Sequence, residues 1–378
     1  MRFYSLDGWR GLAAVFVALY HLNFLSHVYD QTFINNSYLF VDFFFVLSGF
    51  VITHAYNTRL NNLQQIKKFI LLRIARLWPM HITVLLLFIL LEVAKLLISQ
   101  SGSWNNDTIP FTNEFSISSI FTNIFLLQAM NLHEQLTWNY PSWSISVEFY
   151  TYLIFAFVYM LSFRFKILIK LLYIILILGS ITLLFFKTNI LDDATYQNGI
   201  FRCILGFFLG SICYFIRLRI KDLKIPFVNI VEIAIIVGII FFIVYYGRSR
   251  VSIIAPFIFF GVIFIFSFEQ GIASRILKFD LFQSLGRWSY SIYMIHAFLI
   301  VLMGRVLTIL EKIINTPLKV QYVSGDGLIT TPFFFKNMYF MDVMTVFYLM
   351  VLIMLSAFCY TYIEKKGGVR IKSILQVN

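Results

Sequence analysis

The chain contains 378 residues, of which 60% are hydrophobic and only 13% are charged, and its mean hydropathy is +0.82. Soluble domains carry about 25% charged residues, so this composition excludes a soluble fold and predicts an all-α, polytopic integral membrane protein. The formal net charge of +12 predicts no nucleic-acid partner, because the Lys and Arg residues of a membrane protein collect in the loops on one side.

Ten apolar runs are long enough to cross a hydrocarbon core of about 30 Å. No small-residue cleavage site follows the first run, so we expect it to be retained as a span and not removed as a signal peptide. The predicted spans cover residues 10–29, 38–56, 78–98, 143–162, 167–186, 199–216, 226–246, 251–268, 288–310 and 341–363.

The loops between these spans alternate in charge. Residues 57–77 contain five Lys and Arg, whereas residues 99–142 contain none. Continued along the chain, the alternation gives 20 basic residues on the side of the N-terminus, 7 on the other side and 3 within or at the edges of spans. Both termini are therefore predicted to be cytoplasmic. A transmembrane domain is predicted over residues 1–366, followed by a short basic cytoplasmic tail, 367–378.

The first span carries two polar residues, Arg10 and His21. Eleven residues make close to three helical turns, so the two side chains share one face and lie about 16 Å apart along the axis. With Arg10 at the cytoplasmic end, His21 is predicted near the middle of the membrane. A charged side chain there costs about 2.5–3.5 kcal/mol on translocon scales, and a polar one needs partners.

Three further ionisable residues are predicted in the middle or outer half of the membrane: Asp42, Glu148 and His296. A carboxylate that accepts a hydrogen bond from one imidazole nitrogen leaves the other nitrogen as a base. The sequence thus indicates a reactive group in which Asp42 or Glu148 orients His21. Each of these residues taken alone is also compatible with a structural hydrogen bond between helices, and His296 in particular is interpreted as structural.

Arg73 and Arg76 lie three residues apart, hence on one helical face, just before Pro79, which is predicted to mark the start of the third span. The positive-inside rule accounts for their charge. The functional alternative is an anionic cofactor bound from the cytoplasm, because arginine forks suit phosphate groups.

Two segments interrupt the alternation of spans and loops. Residues 116–130 are apolar but too few to span, so they predict a short re-entrant or interfacial helix in the outer loop 99–142. Residues 315–337 contain Pro and Gly and predict an outer loop or cap.

Seven short motifs follow one another from about residue 5 to residue 366: LDGWRGLAAVFVALYH, VDFFFVLSGFVI, RIARLWP, PSWSISVEF, FRCILGFFLG, GRWSYSIYMIH and YIEKK. In this order they resemble the acyltransferase-3 family of bacterial membrane acyltransferases, whose arrangement of Arg, ten residues and His is present in the first motif. Lys366 stands where relatives commonly have proline. The chain ends soon after the last span, so the extracytoplasmic hydrolase-like domain fused to some relatives is not expected.

The resemblance implies a membrane-bound O-acetyltransferase of the bacterial cytoplasmic (inner) membrane. Such an enzyme moves an acetyl group from cytoplasmic acetyl-CoA to a hydroxyl of an extracytoplasmic glycan, such as O-antigen, another surface polysaccharide or a lipid-linked sugar. Its expected partners are acetyl-CoA, this glycan and membrane lipids. No metal is expected, because a thioester is already activated and a positioned base is worth roughly 10²–10⁴ in rate.

The resemblance also implies roles for particular residues. Arg10, Arg73 and Arg76 would bind the phosphates of the donor. His21 would be the general base or would briefly carry the acetyl group, while Glu148 and Asp42 would orient it or manage the proton. The residues that would contact the acceptor or serve the structure are Arg202, Ser142, Trp143 and His296.

The alternative function is a membrane transporter or proton-coupled carrier of a lipid-linked or small anionic substrate. A histidine in mid-membrane with acidic neighbours also suits a proton relay. A carrier does not account for the closely spaced Arg73 and Arg76. A purely structural or sensory protein accounts for none of the ionisable residues predicted within the membrane.

Overall fold

The computed structural model of the chain describes residues 2–100, 109–162, 166–323 and 329–377. Within these ranges the regular structure is almost entirely helical, which confirms the all-α prediction. One antiparallel pair of short strands, Tyr322–Val323 (β1) and Ile329–Thr330 (β2), is the exception.

The α-helices of the described residues are labelled in chain order. They are α1 (Tyr4–His21), α2 (Thr32–Asn35), α3 (Phe40–Tyr56), α4 (Leu63–Gln100), α5 (Ile117–Ile124), α6 (Trp143–Ser162), α7 (Lys166–Lys187), α8 (Gly199–Arg219), α9 (Val228–Tyr246), α10 (Ala255–Phe266), α11 (Ile272–Ile276), α12 (Asp280–Ile314), α13 (Met338–Cys359) and α14 (Lys366–Ile374).

Eight helical segments of the described chain are long and apolar enough to cross a membrane, so the protein is a polytopic integral membrane protein. The first and eighth predicted spans are also helical but shorter: α1 has 18 residues, and Arg250–Phe266 is a shorter apolar helix. The eight segments are Ser37–Tyr56, Leu63–Gln100, Tyr140–Leu161, Leu168–Lys187, Gly199–Arg219, Val228–Tyr246, Asp280–Ile314 and Met338–Ile374.

Helix α1 ends earlier than predicted. The expected span 10–29 was too long at its C-terminal end, because the helix stops at His21 and Leu22 is already extended. The backbone that follows pairs with Phe333: its N–H donates to the Asn23 carbonyl at 3.0 Å, and its carbonyl accepts from the Leu25 N–H at 2.9 Å. These backbone groups are satisfied by a distant segment and do not need a helix. His21 is therefore the last residue of α1.

Helix α4 begins earlier than predicted. Pro79 was expected to mark the start of a span at 78–98, but α4 is continuous from Leu63 and contains the proline. Proline has no N–H to donate to the carbonyl four residues before it, here Ala75. Gly368 packs closely at this point, since a Cβ on it would lie 3.0 Å from the Ala75 oxygen. The proline is thus accommodated where another helix approaches α4.

Three predicted loop regions have regular structure. The helix expected within 116–130 is present over Ile117–Ile124, and its position relative to the membrane surface stays a prediction. The segment 315–337 contains the strand pair β1–β2, and its residues 324–328 lie outside the described ranges. Residues Tyr360–Lys365 form a π-helical turn that leads directly into α14, so most of the predicted tail is helical.

Contacts between Cα atoms divide the chain into two compact units. Unit one consists of Met1–Phe44 and Ile216–Tyr360, and unit two consists of Phe45–Phe215 and Thr361–Asn378. In both units, pairs of helices approach closely at glycines, as small residues permit in membrane proteins.

In unit one, α1 packs against α12. A Cβ at Gly11 would lie 2.6 Å from the Gly286 nitrogen and 2.7 Å from the Cβ of Leu285, and a Cβ at Gly286 would collide with the carbonyl oxygen of Asp7. In unit two, α3 and α8 meet in the same way. A Cβ at Gly49 would collide with the carbonyl oxygen of Phe207.

We expect Gly11→Leu to lower the free energy of unfolding by about 3 kcal/mol, because the neighbours of the new side chain are backbone atoms that cannot rotate away. Gly238→Leu is the matched control, since a Cβ at Gly238 meets no described atom within 4 Å. The measurement is the thermal unfolding midpoint in detergent, with size-exclusion chromatography to detect aggregation. Equal midpoints for the two variants would contradict the close packing of α1 on α12.

Candidate functional site

His21 and His296 form a pair in unit one. His296 Nε2 lies 3.1 Å from His21 Nδ1, and the ring centroids are 5.0 Å apart. His296 is fully buried in α12, and His21 is half-buried at the end of α1. The group that meets Nδ1 of His21 is thus a second imidazole, on a residue that the sequence indicated as structural.

Two backbone carbonyls assign the protons of this pair. The Val17 carbonyl lies 2.9 Å from Nδ1 of His21, and the Ile292 carbonyl lies 3.3 Å from Nδ1 of His296. A carbonyl oxygen only accepts, so in each neutral ring Nδ1 carries the proton. His21 then shares its Nδ1–H between Val17 and the unprotonated Nε2 of His296. The lone pair of His21 is on Nε2, the nitrogen that a general base or nucleophile uses.

Arg10 contacts the same helix as His21. Its Nη2 and Nε donate to the Gly286 carbonyl at 2.7 and 3.2 Å, and its Nη2 lies 3.4 Å from a carboxylate oxygen of Asp7. Arg10 and His21 therefore share a face of α1, as their spacing predicts. Because Arg10 meets residue 286 and His21 meets residue 296, α1 and α12 run parallel.

Two further predicted roles belong to residues of unit one. Arg10 ties α1 to α12 in the structure, and its role in donor binding stays a prediction. Asp42 is fully buried in the first turn of α3. Its predicted role beside His21 also stays a prediction.

Arg73 lies among aromatic rings in unit two. Its guanidinium is 5.7, 5.8 and 6.0 Å from the ring centroids of Tyr56, Phe69 and Tyr152. The Tyr56 hydroxyl is 3.5 Å from its Nη2, and its buried Nε has no hydrogen-bond partner among the described residues. A guanidinium held on ring faces, with a donor left over, suits an anionic ligand.

Glu148 belongs to a cluster with Tyr152 and Ser48. The Tyr152 hydroxyl donates to Glu148 Oε1 at 2.6 Å, and the Ser48 hydroxyl lies 2.9 Å from the same tyrosine oxygen. Glu148 was predicted from the sequence as a site residue, whereas Tyr152 and Ser48 were not. The spacing of Glu148 and Tyr152, four residues apart on one helix, is the signal that could have found the tyrosine. Glu148 is thus connected through Tyr152 to the ring cluster around Arg73.

Arg76 has a different partner from Arg73. Its Nη1 forms an ion pair with Glu364, whose side chain is only 1% exposed and which lies on the π-helical turn before α14. Glu364 belongs to the last of the seven motifs, YIEKK, and no role was predicted for it. The two arginines, predicted to act together on donor phosphates, therefore have distinct surroundings, and the donor role of Arg76 stays a prediction.

The predicted acceptor residues are tied into unit two by internal contacts. Arg202 is 1% exposed, donates to the Leu191 carbonyl at 3.0 Å and lies 5.3 Å from the ring of Trp143. The Gln128 side chain donates to the hydroxyl and the carbonyl of Ser142 at 3.1 and 3.2 Å. These contacts fit the structural alternative, and a contact with the acceptor stays a prediction. In the described part of the chain, no three His, Cys, Asp or Glu side chains are grouped closely enough to hold a metal ion.

Curated relatives of this chain include two bacterial proteins. The peptidoglycan O-acetyltransferase OatA of Listeria monocytogenes is 27% identical in an alignment 339 residues long that covers 81% of this chain and 51% of that protein. Protein 2 in the picA locus of Rhizobium radiobacter is 41% identical in an alignment 91 residues long that covers 23% of this chain and 44% of that protein. The chain spans about half the length of the curated relatives it matches, and no solved structure matches it significantly.

A model of the acyltransferase-3 family, described as an acyltransferase domain, matches residues 3–362. The match includes the histidine pair of unit one and the Arg73 cluster of unit two. The chain therefore belongs to the acyltransferase-3 family.

Proposed function

We propose that this protein is a membrane-bound O-acetyltransferase that moves an acetyl group from acetyl-CoA to a hydroxyl of a surface glycan. The contact between His21 and His296 carries the proposal, because it leaves a lone pair on Nε2 of a histidine in the family's first motif. The Listeria relative is named a peptidoglycan O-acetyltransferase, which supports a glycan as the acceptor class.

The proposed chemistry needs one base. His21 Nε2 takes the proton of the glycan hydroxyl while the hydroxyl oxygen forms a bond to the thioester carbonyl carbon. The carbon–sulfur bond then breaks, and the coenzyme A thiolate leaves with the proton returned from the imidazolium. A positioned base contributes about 10²–10⁴ to such a rate.

A second route uses the same nitrogen as a nucleophile. His21 Nε2 attacks the thioester carbon, the thiolate leaves, and the acetyl group stays on the ring until the oxygen of the glycan hydroxyl displaces it. The proton of that hydroxyl is released as the ester forms and balances the proton that the coenzyme A thiolate takes up to become the thiol. His296 has the same task in both routes: it accepts from Nδ1–H and holds the ring with Nε2 as the reacting nitrogen.

The donor's phosphates are assigned to unit two. The guanidinium of Arg73 lies over the rings of Tyr56 and Phe69, and its buried Nε has no hydrogen-bond partner among the described residues. Arg76 follows three residues later, and its ion pair with the distant Glu364 stabilises the packing of α14 on α4. In this assignment Arg73 contacts the ligand, and Arg76 is a positioning residue.

The orientation in the membrane is part of the proposal. Helix α14, near the C-terminus, contacts α4 next to the arginines, so the C-terminal segment and Arg76 lie close together in unit two. The positive-inside count predicts that both are cytoplasmic. We therefore place the donor in the cytoplasm, the protein in the bacterial inner membrane with both termini inside, and the polysaccharide or lipid-linked acceptor outside.

The test is transfer by purified protein in sealed, oriented vesicles that carry radiolabelled acetyl-CoA on one face and surface oligosaccharides on the other. We expect labelled glycan only when the donor is on the cytoplasmic face. Equal labelling with donor and acceptor both outside would contradict the orientation. Movement of label across the membrane without transfer or hydrolysis would contradict the enzyme and favour a carrier.

His296→Leu is expected to reduce kcat by about fivefold, because the Nδ1–H of His21 loses the imidazole acceptor and a net hydrogen bond is worth about 1 kcal/mol. His296→Gln should retain most of the activity, because its amide oxygen can accept at the position of Nε2. The measurement is kcat and KM for each variant, with the unfolding midpoint as the control for folding. Equal losses in the two variants would assign His296 to packing alone.

A further inference from the structure

Unit one contains a small cavity, and its lining residues come shortly after His21 in one segment of the chain and shortly after His296 in another. One wall is residues 22–24, which come directly after His21, and Phe333 lies beside them. The other wall is Ile300, Met303 and Gly304 of α12. The cavity has a volume of about 20 Å³.

The position and lining of this cavity point to a hydrocarbon group. Ile300 is four residues after His296, so it lies one turn away on the same face of α12. A cavity needs at least about 10–15 Å³ to hold a water molecule, so this one has room for one group of that size. Its lining is almost entirely apolar, and a water molecule there would lack the hydrogen-bond partners it needs, whereas a methyl group needs none.

We propose that this cavity receives the hydrocarbon end of the donor's acyl group and that its size selects acetyl over longer acyl groups. The inference rests on the proposed function, because it needs His21 as the residue at which the thioester carbonyl reacts. The acceptor and the phosphates of the donor are bound elsewhere. The cavity therefore determines which acyl group is transferred but not which hydroxyl of the acceptor receives it.

Gly304 is the residue whose missing side chain leaves this space open. A Cβ on it would lie 3.8 Å from the ring of Phe333, which is ordinary van der Waals contact. An alanine is therefore accommodated without displacement of the backbone, but its methyl group takes space that the acyl group would use. Met303, in contrast, is a long side chain whose truncation enlarges the cavity.

The experiment compares Met303→Ala with Val306→Ala, a truncation of an exposed residue on the same helix that does not line the cavity. The measured quantity is the ratio of kcat/KM for propionyl-CoA to that for acetyl-CoA. One methylene in an apolar pocket changes discrimination by about 10–200-fold, so we expect Met303→Ala to raise the ratio about tenfold or more and Val306→Ala to leave it unchanged.

Gly304→Ala is the second variant. It fills space and does not enlarge the cavity, so it keeps the test decisive if Met303→Ala fails to fold. We expect it to lower kcat/KM for acetyl-CoA while the unfolding midpoint stays at the wild-type value. Normal acetyl transfer with unchanged ratios in both folded variants would overturn the assignment of the cavity and leave the transferase standing. Absence of transfer from any thioester by the wild-type protein would instead overturn the proposed function.

Discussion

His21→Ala is expected to reduce acetyl transfer by about 10²–10⁴-fold, the contribution of a positioned general base. The folded state should change little, because His21 is only half-buried at the end of α1 and the truncation removes one hydrogen bond to Val17 and one to His296. Transfer to glycan is measured at saturating donor, and the unfolding midpoint and elution profile report the fold.

His27→Ala is the matched control for this experiment. His27 lies in the same unit, its side chain is 48% exposed, and its Nδ1 is 2.7 Å from Asp342. The His27→Ala protein should therefore transfer acetyl at the wild-type rate. Near wild-type transfer by His21→Ala would remove the catalytic role from this residue and from the histidine pair.

His21→Ala also helps to distinguish the two chemical routes, base and nucleophile. Wild-type protein held with radiolabelled acetyl-CoA and no acceptor should acquire label on His21 if the imidazole is the nucleophile. It should acquire none if the imidazole is only a base. His21→Ala sets the background of that measurement.

Arg73→Gln is expected to weaken acetyl-CoA binding by about 1.5–3 kcal/mol, which is roughly 10- to 150-fold in Kd, since a charge-assisted hydrogen bond is lost. Arg73→Lys should recover only part of this affinity, because an ammonium keeps the charge but not the fork or the contact with ring faces. Calorimetry with acetyl-CoA gives the affinities. Acetyl-dephospho-CoA, which lacks the 3′-phosphate, serves as a second ligand. If Arg73 contacts that phosphate, the Arg73→Gln variant should bind acetyl-CoA and acetyl-dephospho-CoA with equal affinity, whereas the wild-type protein should prefer acetyl-CoA.

Arg76→Gln provides the contrast to Arg73. It removes the ion pair that Arg76 forms with the buried carboxylate of Glu364, so its main effect should be a lower unfolding midpoint. A second change, Glu364→Gln, removes the buried carboxylate charge and should restore most of the midpoint. Unchanged donor affinity in both arginine variants would exclude a role in donor binding and leave the positive-inside rule as the explanation of both charges.

Local patterns in the sequence were sufficient for the composition class, the helical segments and the shared face of Arg10 and His21. The eleven-residue spacing fixes that face whatever the neighbours are. The partner on that face could not be predicted, because His296 lies 275 residues further along the chain. Only the packing of α1 on α12, which depends on the glycines at 11 and 286, brings the two imidazoles together.

Helix boundaries were the least predictable part for the same reason. Helix α1 stops at His21, where the backbone that follows bonds to Phe333, and α4 continues through Pro79, where Gly368 packs beside it. In both cases a contact distant in sequence accompanies the departure from the local signal. Within the candidate site, the difference in surroundings between Arg73 and Arg76 also depends on a distant residue, Glu364.

The end of α1 at His21 has an electrostatic consequence for the reaction. The aligned peptide dipoles of a helix place a negative partial charge of about half an elementary charge at its C-terminus, and a cation in the last turn gains about 0.3–2 kcal/mol from it. His21 occupies that last turn. In the proposed reaction, the positive charge that the imidazole acquires, as imidazolium or as acetyl-imidazolium, is stabilised by the backbone of α1 itself. This contribution persists through any side-chain substitution that leaves α1 helical.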